Sequence, residues 1–600
     1  MKNNFLSSLP LIVGVTGHID IVDEAIKPLQ TTVRRLLGEL KGAYKHTSIQ
    51  AISALAEGAD QLVAYEARAL GFPLVAVLPM PLVDYEQTLT TAAGRQHMRE
   101  LWEAAELRIE LPWLDGVSET SRDALQYEQV GLVIAHFSHV LLALWNGAGI
   151  WDPEAPEEDR LDQQGGTAHI AYLRAIGERE SEVFGHSPIF PSTHTRLYPV
   201  DHGLTFRIAT PRRKTDGCVG EAGSLWFRSG EAGGVEVAIE GVIGFEDVGL
   251  QGKKMAQLVA RNSTNVLEMT KAELSKLDKA NSLLMAFSQK SAEAVAQSAE
   301  CLLPNSILVN LGGQRLPADA IRQAYALADA FSQANQRRIY RAILGIVLAL
   351  LAAVLAYEIY AYVQTPEMLF AYLAVIVTPA IIHWTVIRRL EWQNHFQDFR
   401  AIAEALRVQF FWGLAGVSCG VTDFYLRKHH DEMNWIRLAL RGPALQALAM
   451  GLGPVHRDLV KNYWIEDQFS YFSGTSYKGK RRPGQAEYNK KKHGQYNLWA
   501  SVAYGTGLLI ALALLVTQWG LIHIEDWARE LAIILMGFAP ALAGALSIIS
   551  EKRAYKDHAH QYSRMGRFFG NASTLLAQVE GEAGNQFAMI VRDLGAEALA

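Results

Sequence analysis

Cysteine is almost missing from this chain. Cys218, Cys301 and Cys419 are the only three in 600 residues, and none belongs to a C-x-x-C. That excludes a disulfide framework and a thiolate metal site, and it fits a reducing compartment. A surplus of positive charge is missing too. The net charge is −6, whereas a nucleic-acid partner asks for a strongly basic domain. No G-x-x-x-x-G-K-[ST] occurs, which removes a P-loop NTPase. No G-x-S-x-G occurs, which removes a nucleophile elbow. His18, His136, His139 and His169 lack metal-ligand spacing, so no zinc site is expected. A cleavable leader is not expected either. The apolar run Leu9-Pro10-Leu11-Ile12-Val13 is short and leads straight into Gly14-Val15-Thr16-Gly17-His18, which reads as a first buried strand.

Apolar residues are abundant. They make up 50% of the chain, and the mean hydropathy is +0.05, which suggests a soluble part joined to a membrane part. Four uncharged apolar stretches stand out: Ala342–Tyr357 (extendable past Glu358 to Val363), Met368–Ile387, Leu498–Ile524 and Leu531–Ser550. Crossing the hydrocarbon core takes about 20 helical residues, so four transmembrane helices are expected, the first with Glu358 at the interface. Flanking charge orients them. Arg337, Arg338 and Arg341 precede the first, and Arg388 and Arg389 follow the second. Lys478, Lys480, Arg481, Arg482 and Lys490–Lys492 precede the third, and Lys552, Arg553 and Lys556 follow the fourth. The loops between paired spans carry mostly acids. Cationic flanks stay in the cytosol, so both termini and residues 389–497 are expected there. Trp519 and Trp527 suit an interfacial belt at the outer ends. After span two the chain reads Arg389, Trp392, Asn394, His395, Asp398, Phe399, and after span four Lys552, Tyr555, Asp557, His558, Gln561, Tyr562, at one constant offset. The expected unit is a two-span hairpin used twice. His383 lies near the inner end of span two, and Gly537, Pro540 and Gly544 interrupt span four. Gly505, Gly507 and Ala541–Gly544 offer small residues for helix association.

The N-terminal part alternates differently. Candidate strands are Leu11–Thr16, Ser48–Ser53, Pro73–Leu78, Leu107–Leu111, His139–Trp145 and Leu204–Thr210, with amphipathic helices near 24–41, 59–70, 84–104, 122–137 and 166–176. Short buried strands separated by such helices mean βαβ units, hence an α/β Rossmann-like, doubly wound parallel sheet. Ligands of such sheets bind at the carboxyl ends of the strands. The loops there carry Gly14, Thr16, Gly17 and His18, then Ser53, Glu57, Gly58 and Asp60, then Pro79, then Trp145, Asn146 and Gly147, then Gly165, Gly166 and Thr167 opening a helix. Glycine lets backbone approach a phosphate, and helix N-termini supply amide donors. Together these loops point to a phosphate-bearing ligand. Arg212 and Arg213 after the sixth strand lie within reach of one or are simply solvated.

Gly14-Val15-Thr16-Gly17-His18, Ser53–Asp60, Leu78-Pro79, Arg122-Asp123-Ala124-Leu125-Gln126-Tyr127-Glu128, Leu144-Trp145-Asn146-Gly147 and Gly165-Gly166-Thr167-Ala168 resemble the SLOG superfamily, named for its Smf/DprA and LOG members. The resemblance covers about residues 10–215. It implies binding of nucleotides or nucleotide-derived ligands, with Arg122 and Tyr127 joining the candidate site. Arg400-Ala-Ile-Ala-Glu404 through Trp412, and Trp464 through Gln468 to Tyr471, resemble SLATT-type two-helix membrane modules, which accompany SLOG sensors in bacterial conflict systems. LOG-type hydrolases follow their glycine–threonine turn with a glutamate one helical turn on. Here Gln164-Gly165-Gly166-Thr167 is followed by Ala168-His169-Ile170-Ala171-Tyr172, so no catalytic residue is assigned. Glu57, Asp60 or Glu128 would have to substitute.

The expected organisation is a SLOG-like domain over 1–215 and a connector over 216–316, Gly-rich to 250 and read as a loop or a β-hairpin cover. A helix and first hairpin follow over 317–415, a cytosolic helical segment over 416–497, and the second hairpin with a C-terminal helix over 498–600. The helix starting near Pro317 runs into span one, as a rotation-transmitting rod or a passive stalk. The expected function is a multi-pass sensor and effector in a bacterial inner membrane. It would bind a nucleotide-derived ligand, need no cofactor or metal, assemble as a homo-oligomer and permeabilise the membrane in antiphage or stress defence. A membrane-tethered nucleotide hydrolase, a ligand-gated ion channel and a scaffold with purely structural glycines are the alternatives.

Overall fold

The structure, a computed structural model, describes residues 9–147, 164–176, 181, 183, 186–190, 204–214, 217–228, 236–239, 261–382, 391–424, 433–477, 480–519, 523–579 and 584–599. The chain forms two compact units. One comprises Met1–Ala328, Ile402–Arg457 and Gly584–Ala600; the other comprises Asp329–Ala401 and Asp458–Ala583.

The first unit is built on a sheet of β1 (Leu11–Gly17), β2 (Ile49–Ser53), β3 (Leu74–Leu78), β4 (Leu107–Glu110), β5 (Val140–Trp145), β6 (Leu204–Ala209), β7 (Leu225–Arg228) and β8 (Glu236–Ile239), in the order β4-β3-β2-β1-β5-β6-β7-β8. The first six strands are parallel. Their sequences are apolar at consecutive positions and buried throughout in β2, β3, β5 and β6, as a sheet covered on both faces requires. Each lies within two residues of its sequence expectation. The Gly-rich stretch beyond 216 supplies β7 and β8, which extend the edge antiparallel.

The helices are α1 (Ile26–Ala43), α2 (Ala59–Ala69), α3 (Leu82–Thr88), α4 (Ala92–Ala104), α5 (Glu119–Phe137) and α6 (Thr167–Ile176). The single helix expected near 84–104 is two. Thr91 is extended and accepts the Gly94 N–H through its side chain, which starts α4 afresh. Alternate strand residues Ile12, Ile52, Val75, Val77, Ile109 and Leu141 share a core with α5 and α6, and with Ala444, Leu445 and Leu448. Those last three belong to the helix Asn434–Gly451, some 300 residues from the strands it covers.

Polar groups lock that helix in place. The Ile12 N–H donates to His139 Nδ1, and His139 Nε2–H donates to the Leu438 carbonyl, both at 2.8 Å. Arg441 donates to the Ser138 carbonyl at 2.7 Å. Arg174 donates to the same oxygen and to the Ala135 carbonyl. Both guanidiniums thus meet carbonyls at the C-terminal end of α5, where the helix dipole favours a cation. Gly442 is needed for close approach, since a Cβ there would fall 2.3 Å from Pro10.

The second unit is helical. Among the described residues three helices, within Arg315–Val363, Gln485–Gln518 and Asp526–Lys552, are long and apolar enough to cross a membrane. The stretch expected as the second span gives a shorter apolar helix, Pro366–Ile382. His383, Arg388 and Arg389 lie outside the described residues. Leu348, Leu350, Leu508, Leu509, Leu512, Leu531 and Leu535 are exposed on these helices. Gly507 packs on Ala539 and Pro540, whereas a Cβ at Gly505 or Gly544 would meet nothing. The repeat has a backbone counterpart. Glu391 and Ala554 occupy equivalent positions, each with φ +48°, and each precedes a helix, Trp392–Leu414 and Tyr555–Gln578.

Removing Arg441 tests the long-range closure of the sheet. Arg441→Ala, at a side chain 4% exposed, is expected to destabilise the first unit by about 1.5–3 kcal/mol, the worth of a hydrogen bond to a charged group. Thermal unfolding of the full chain in detergent reads this. An unchanged Tm would contradict the closure.

Candidate functional site

β1 lies between β2 and β5. The chain builds one half of the sheet outward from β1 through β4, then returns to build the other from β5. Its winding reverses between β1 and β5, and a crevice outside the carboxyl ends is the usual ligand position at such a point. His18 and Asn146 meet there. The Asn146 N–H donates to His18 Nε2 at 3.2 Å, and the Asn146 side-chain amide lies 3.2 Å from the same nitrogen. Burial and then the Arg212 charge push the His18 imidazole down to about 4. The ring is therefore neutral at neutral pH.

The glycines divide by role. Gly14 is a packing residue, because a Cβ would fall 2.0 Å from Ser138 Oγ and 2.9 Å from Ile134; at Gly17 it would fall 2.3 Å from the Ala59 Cβ. Gly58 and Gly147 take φ +79° and +76°, which side chains rarely adopt. Beneath Gly147 lies Arg207. A Cβ on Gly147 would be 3.1 Å from its Nη1. Arg207 donates to the Val219 carbonyl at 3.0 Å and stacks 4.9 Å over the Trp226 ring. The sequence reading missed this buried cation. The signal was present as an arginine inside the apolar strand Leu204-Thr205-Phe206-Arg207-Ile208-Ala209.

The β2 loop is strained and tightly tied. Leu55, fully buried, has φ +59°, a conformation costing a bulky residue on the order of 1–3 kcal/mol. Its N–H donates to Ser53 Oγ at 3.0 Å, and Gln61 donates to its carbonyl at 3.1 Å. Glu57 turns away to receive the Thr91 N–H at 2.7 Å and the Thr91 hydroxyl at 2.9 Å, with Thr90 on its other oxygen. Burial would raise this carboxyl, but those donors outweigh it and hold Glu57 below the ordinary range. Asp60, in the first turn of α2, is pushed up to about 7 by burial against the pull of the Ala56 and Ala54 amides. The Tyr85 hydroxyl, raised by burial, sits in the field of Asp60, Tyr127 and Glu57.

The third group gathers around α5. Gln126 donates to the Pro79 carbonyl. Gly165, φ +75°, lies against Tyr127 and the Glu128 amide. Glu128, fully buried, accepts from Gln164 at 2.6 Å and from Ser181. The Gly165 N–H donates to His169 Nδ1 at 3.1 Å, and burial lowers that ring to about 4. Gly166 is exposed just before Thr167, the first residue of α6. Arg122 stands apart, exposed, 4.7 Å over the Trp113 ring. Trp145 is buried at the end of β5, and Thr16 is half-buried at the end of β1. The edge thus offers backbone turns, two helix N-termini (Gly58–Ala59 and Gly166–Thr167), a neutral imidazole and the buried cation Arg207. That equipment suits recognition of an anionic, hydrogen-bonding ligand.

The titrations give a signed expectation. Asp60 is raised in the fold, so between about 4 and 7 the unfolded chain ionises first and the fold loses stability as pH rises. Asp60→Asn removes that loss. Its Tm should gain on the wild type up to about pH 7 and then run parallel; a difference independent of pH would contradict the assignment. His18 and His169 act oppositely. Their contribution is present above about pH 6.5 and is lost as pH falls toward 4. Compared with known families and curated proteins, the chain matches no family model and no curated protein.

Proposed function

We propose that the chain is a membrane-bound sensor and effector whose first unit binds a nucleotide-derived ligand at the β1–β5 crevice. The observation that carries this reading is the meeting, at one switch point, of left-handed glycines Gly58 and Gly147, two helix N-termini and the buried Arg207, in a chain that also carries exposed apolar helices. Phosphate suits such an edge because amide donors and helix dipoles favour negative charge. The resemblance to SLOG domains supports a nucleotide-type ligand, and that to SLATT modules supports a role in bacterial antiphage or stress defence. Four spans, with the apolar stretch Met368–Ile387 as the second, follow from the hydropathy, and both termini are cytosolic by the basic flanks. Assembly of several copies then alters or permeabilises the inner membrane, because four spans alone do not enclose a wide pore. Ligand binding acts by shifting the population between conformations or assembly states of unequal affinity.

Binding is favoured over hydrolysis by the state of the carboxylates. Glu57 is taken up by Thr90 and Thr91, and Glu128 by Gln164 and Ser181. Asp60 is buried behind the loop. No acid follows Thr167 in its next helical turn.

Two experiments test this. The full chain in detergent is mixed with nucleotides, cyclic nucleotides and ADP-ribose derivatives. Ligand at 100 Kd should stabilise it by about 2.7 kcal/mol and be recovered intact by chromatography, and Gly166→Asp should abolish the shift. Consumption of the nucleotide would move the reading to a hydrolase, and an undiminished shift in Gly166→Asp would move the site. Separately, a fluorescent protein fused after the C-terminus should fluoresce while alkaline phosphatase fused there stays inactive. The reverse pattern would contradict the orientation.

A further inference from the structure

Glu358 has a surrounding that the sequence did not suggest. It lies near the end of the helix Arg315–Val363, where an acid is expected to reach interfacial water. Its carboxylate instead rests on Gly537 of the helix Asp526–Lys552. A Cβ on Gly537 would fall 2.1 Å from Glu358 Oε1, 2.8 Å from Cδ and 3.4 Å from Oε2. The carboxylate fills the notch that only glycine leaves.

That notch is deep in apolar helix. Gly537 follows the last outer charge, Glu530, by seven residues and precedes Glu551 by fourteen, about 10 Å and 21 Å along the axis. With a hydrocarbon core about 30 Å thick, the contact falls inside it. Among the described residues, no hydrogen bond or ion pair reaches Glu358. The ionisable groups next to it on its own helix are phenols, Tyr357, Tyr360 and Tyr362, and the Tyr372 ring lies tilted 5.9 Å from that of Tyr357. No cation lies between Glu530 and Glu551.

A second feature adjoins it. Pro540 sits within the helix Asp526–Lys552 and has no N–H, so the Met536 carbonyl, one residue before Gly537, loses its intrahelical donor. Gly507 passes that oxygen, and a Cβ there would be 3.5 Å from Met536 O and 3.2 Å from Pro540 Cδ. The Glu358 carboxyl therefore lies against Gly537, next in sequence to the residue whose carbonyl Pro540 releases. Both are acceptors. A metal ion needs more oxygen ligands than this pair provides. A single proton neutralises the carboxylate and makes it a donor.

We propose that Glu358, seated on Gly537 beside the carbonyl released by Pro540, is a membrane-embedded proton-binding site. This rests on the helices lying in a bilayer. An unpartnered ionised carboxylate is costly there, and intramembrane acids commonly mark proton pathways. Loss of the proton places a charge between Arg315–Val363 and Asp526–Lys552, which gives the hairpins a proton-dependent packing state.

The test is labelling of the full chain in native membranes with dicyclohexylcarbodiimide, a hydrophobic reagent for protonated carboxyl groups. The expected result is an adduct on the Glu358 peptide at neutral pH that declines as pH is raised. Glu358→Gln, the uncharged isostere, should lose the adduct while keeping wild-type Tm and membrane retention. Absence of the adduct in a chain that resists alkaline carbonate overturns the proton site alone. So does equal labelling by a water-soluble carbodiimide, which would mean an aqueous carboxylate. Protection by Na⁺ or K⁺ at constant pH overturns it in favour of a metal-ion site. Release of the chain by alkaline carbonate overturns the membrane reading together with the site.

Discussion

A parallel sheet has no face it can show to water, and the first unit is arranged around that constraint. The alternation of β1, β2, β3 and β5 places Ile12, Ile52, Val75 and Leu141 on one side, in a core shared with α5 and α6. The opposite set, Leu11, Val13, Ala51, Leu74 and Val140, is equally buried. Local βαβ connections do not finish the covering. The helix Asn434–Gly451 completes it from far along the chain, with Leu438, Leu445 and Leu448 sealed from solvent. Each fully buried Leu side chain is worth about 1.5–3 kcal/mol. Folding of the sheet is therefore tied to chain made after the first apolar spans.

The same burial explains the polar groups. A buried guanidinium or imidazole is tolerable only when matched. Arg174 and Arg441 meet the carbonyls that end α5, and His139 joins β1 to Leu438. At the carboxyl edge the matching has a chemical consequence. His18 is held neutral and Asp60 leans toward its protonated form, while cationic character sits behind Gly147 in Arg207. The edge thereby presents backbone amides, two helix N-termini and a neutral imidazole.

Much of this was legible in the sequence. The strands read clearly because continuous apolar runs such as Leu74–Leu78 have one stable use in an α/β chain. The loops holding His18, Gly58, Asn146 and Gly165 followed from their places after those strands. Three things were not legible. The helix Asn434–Gly451 looks like any apolar helix, and nothing local says that it lies under Ile12. The division of glycines into packing residues, such as Gly14, and turn residues, such as Gly147, depends on what stands opposite. The depth of Glu358 depends on which residue of another helix it meets, and Gly537 is far away in sequence. In each case the missing information is a long-range contact, which periodicity does not encode.

Hydrogen–deuterium exchange of the full chain, with and without the nucleotide that gives the largest thermal shift, tests the central claim most directly. The account predicts joint protection of amides in 14–18, 53–59, 145–147 and 164–167, the four loops of one sheet edge. Protection confined to another surface, or to one of these loops alone, would contradict a ligand site at the β1–β5 crevice.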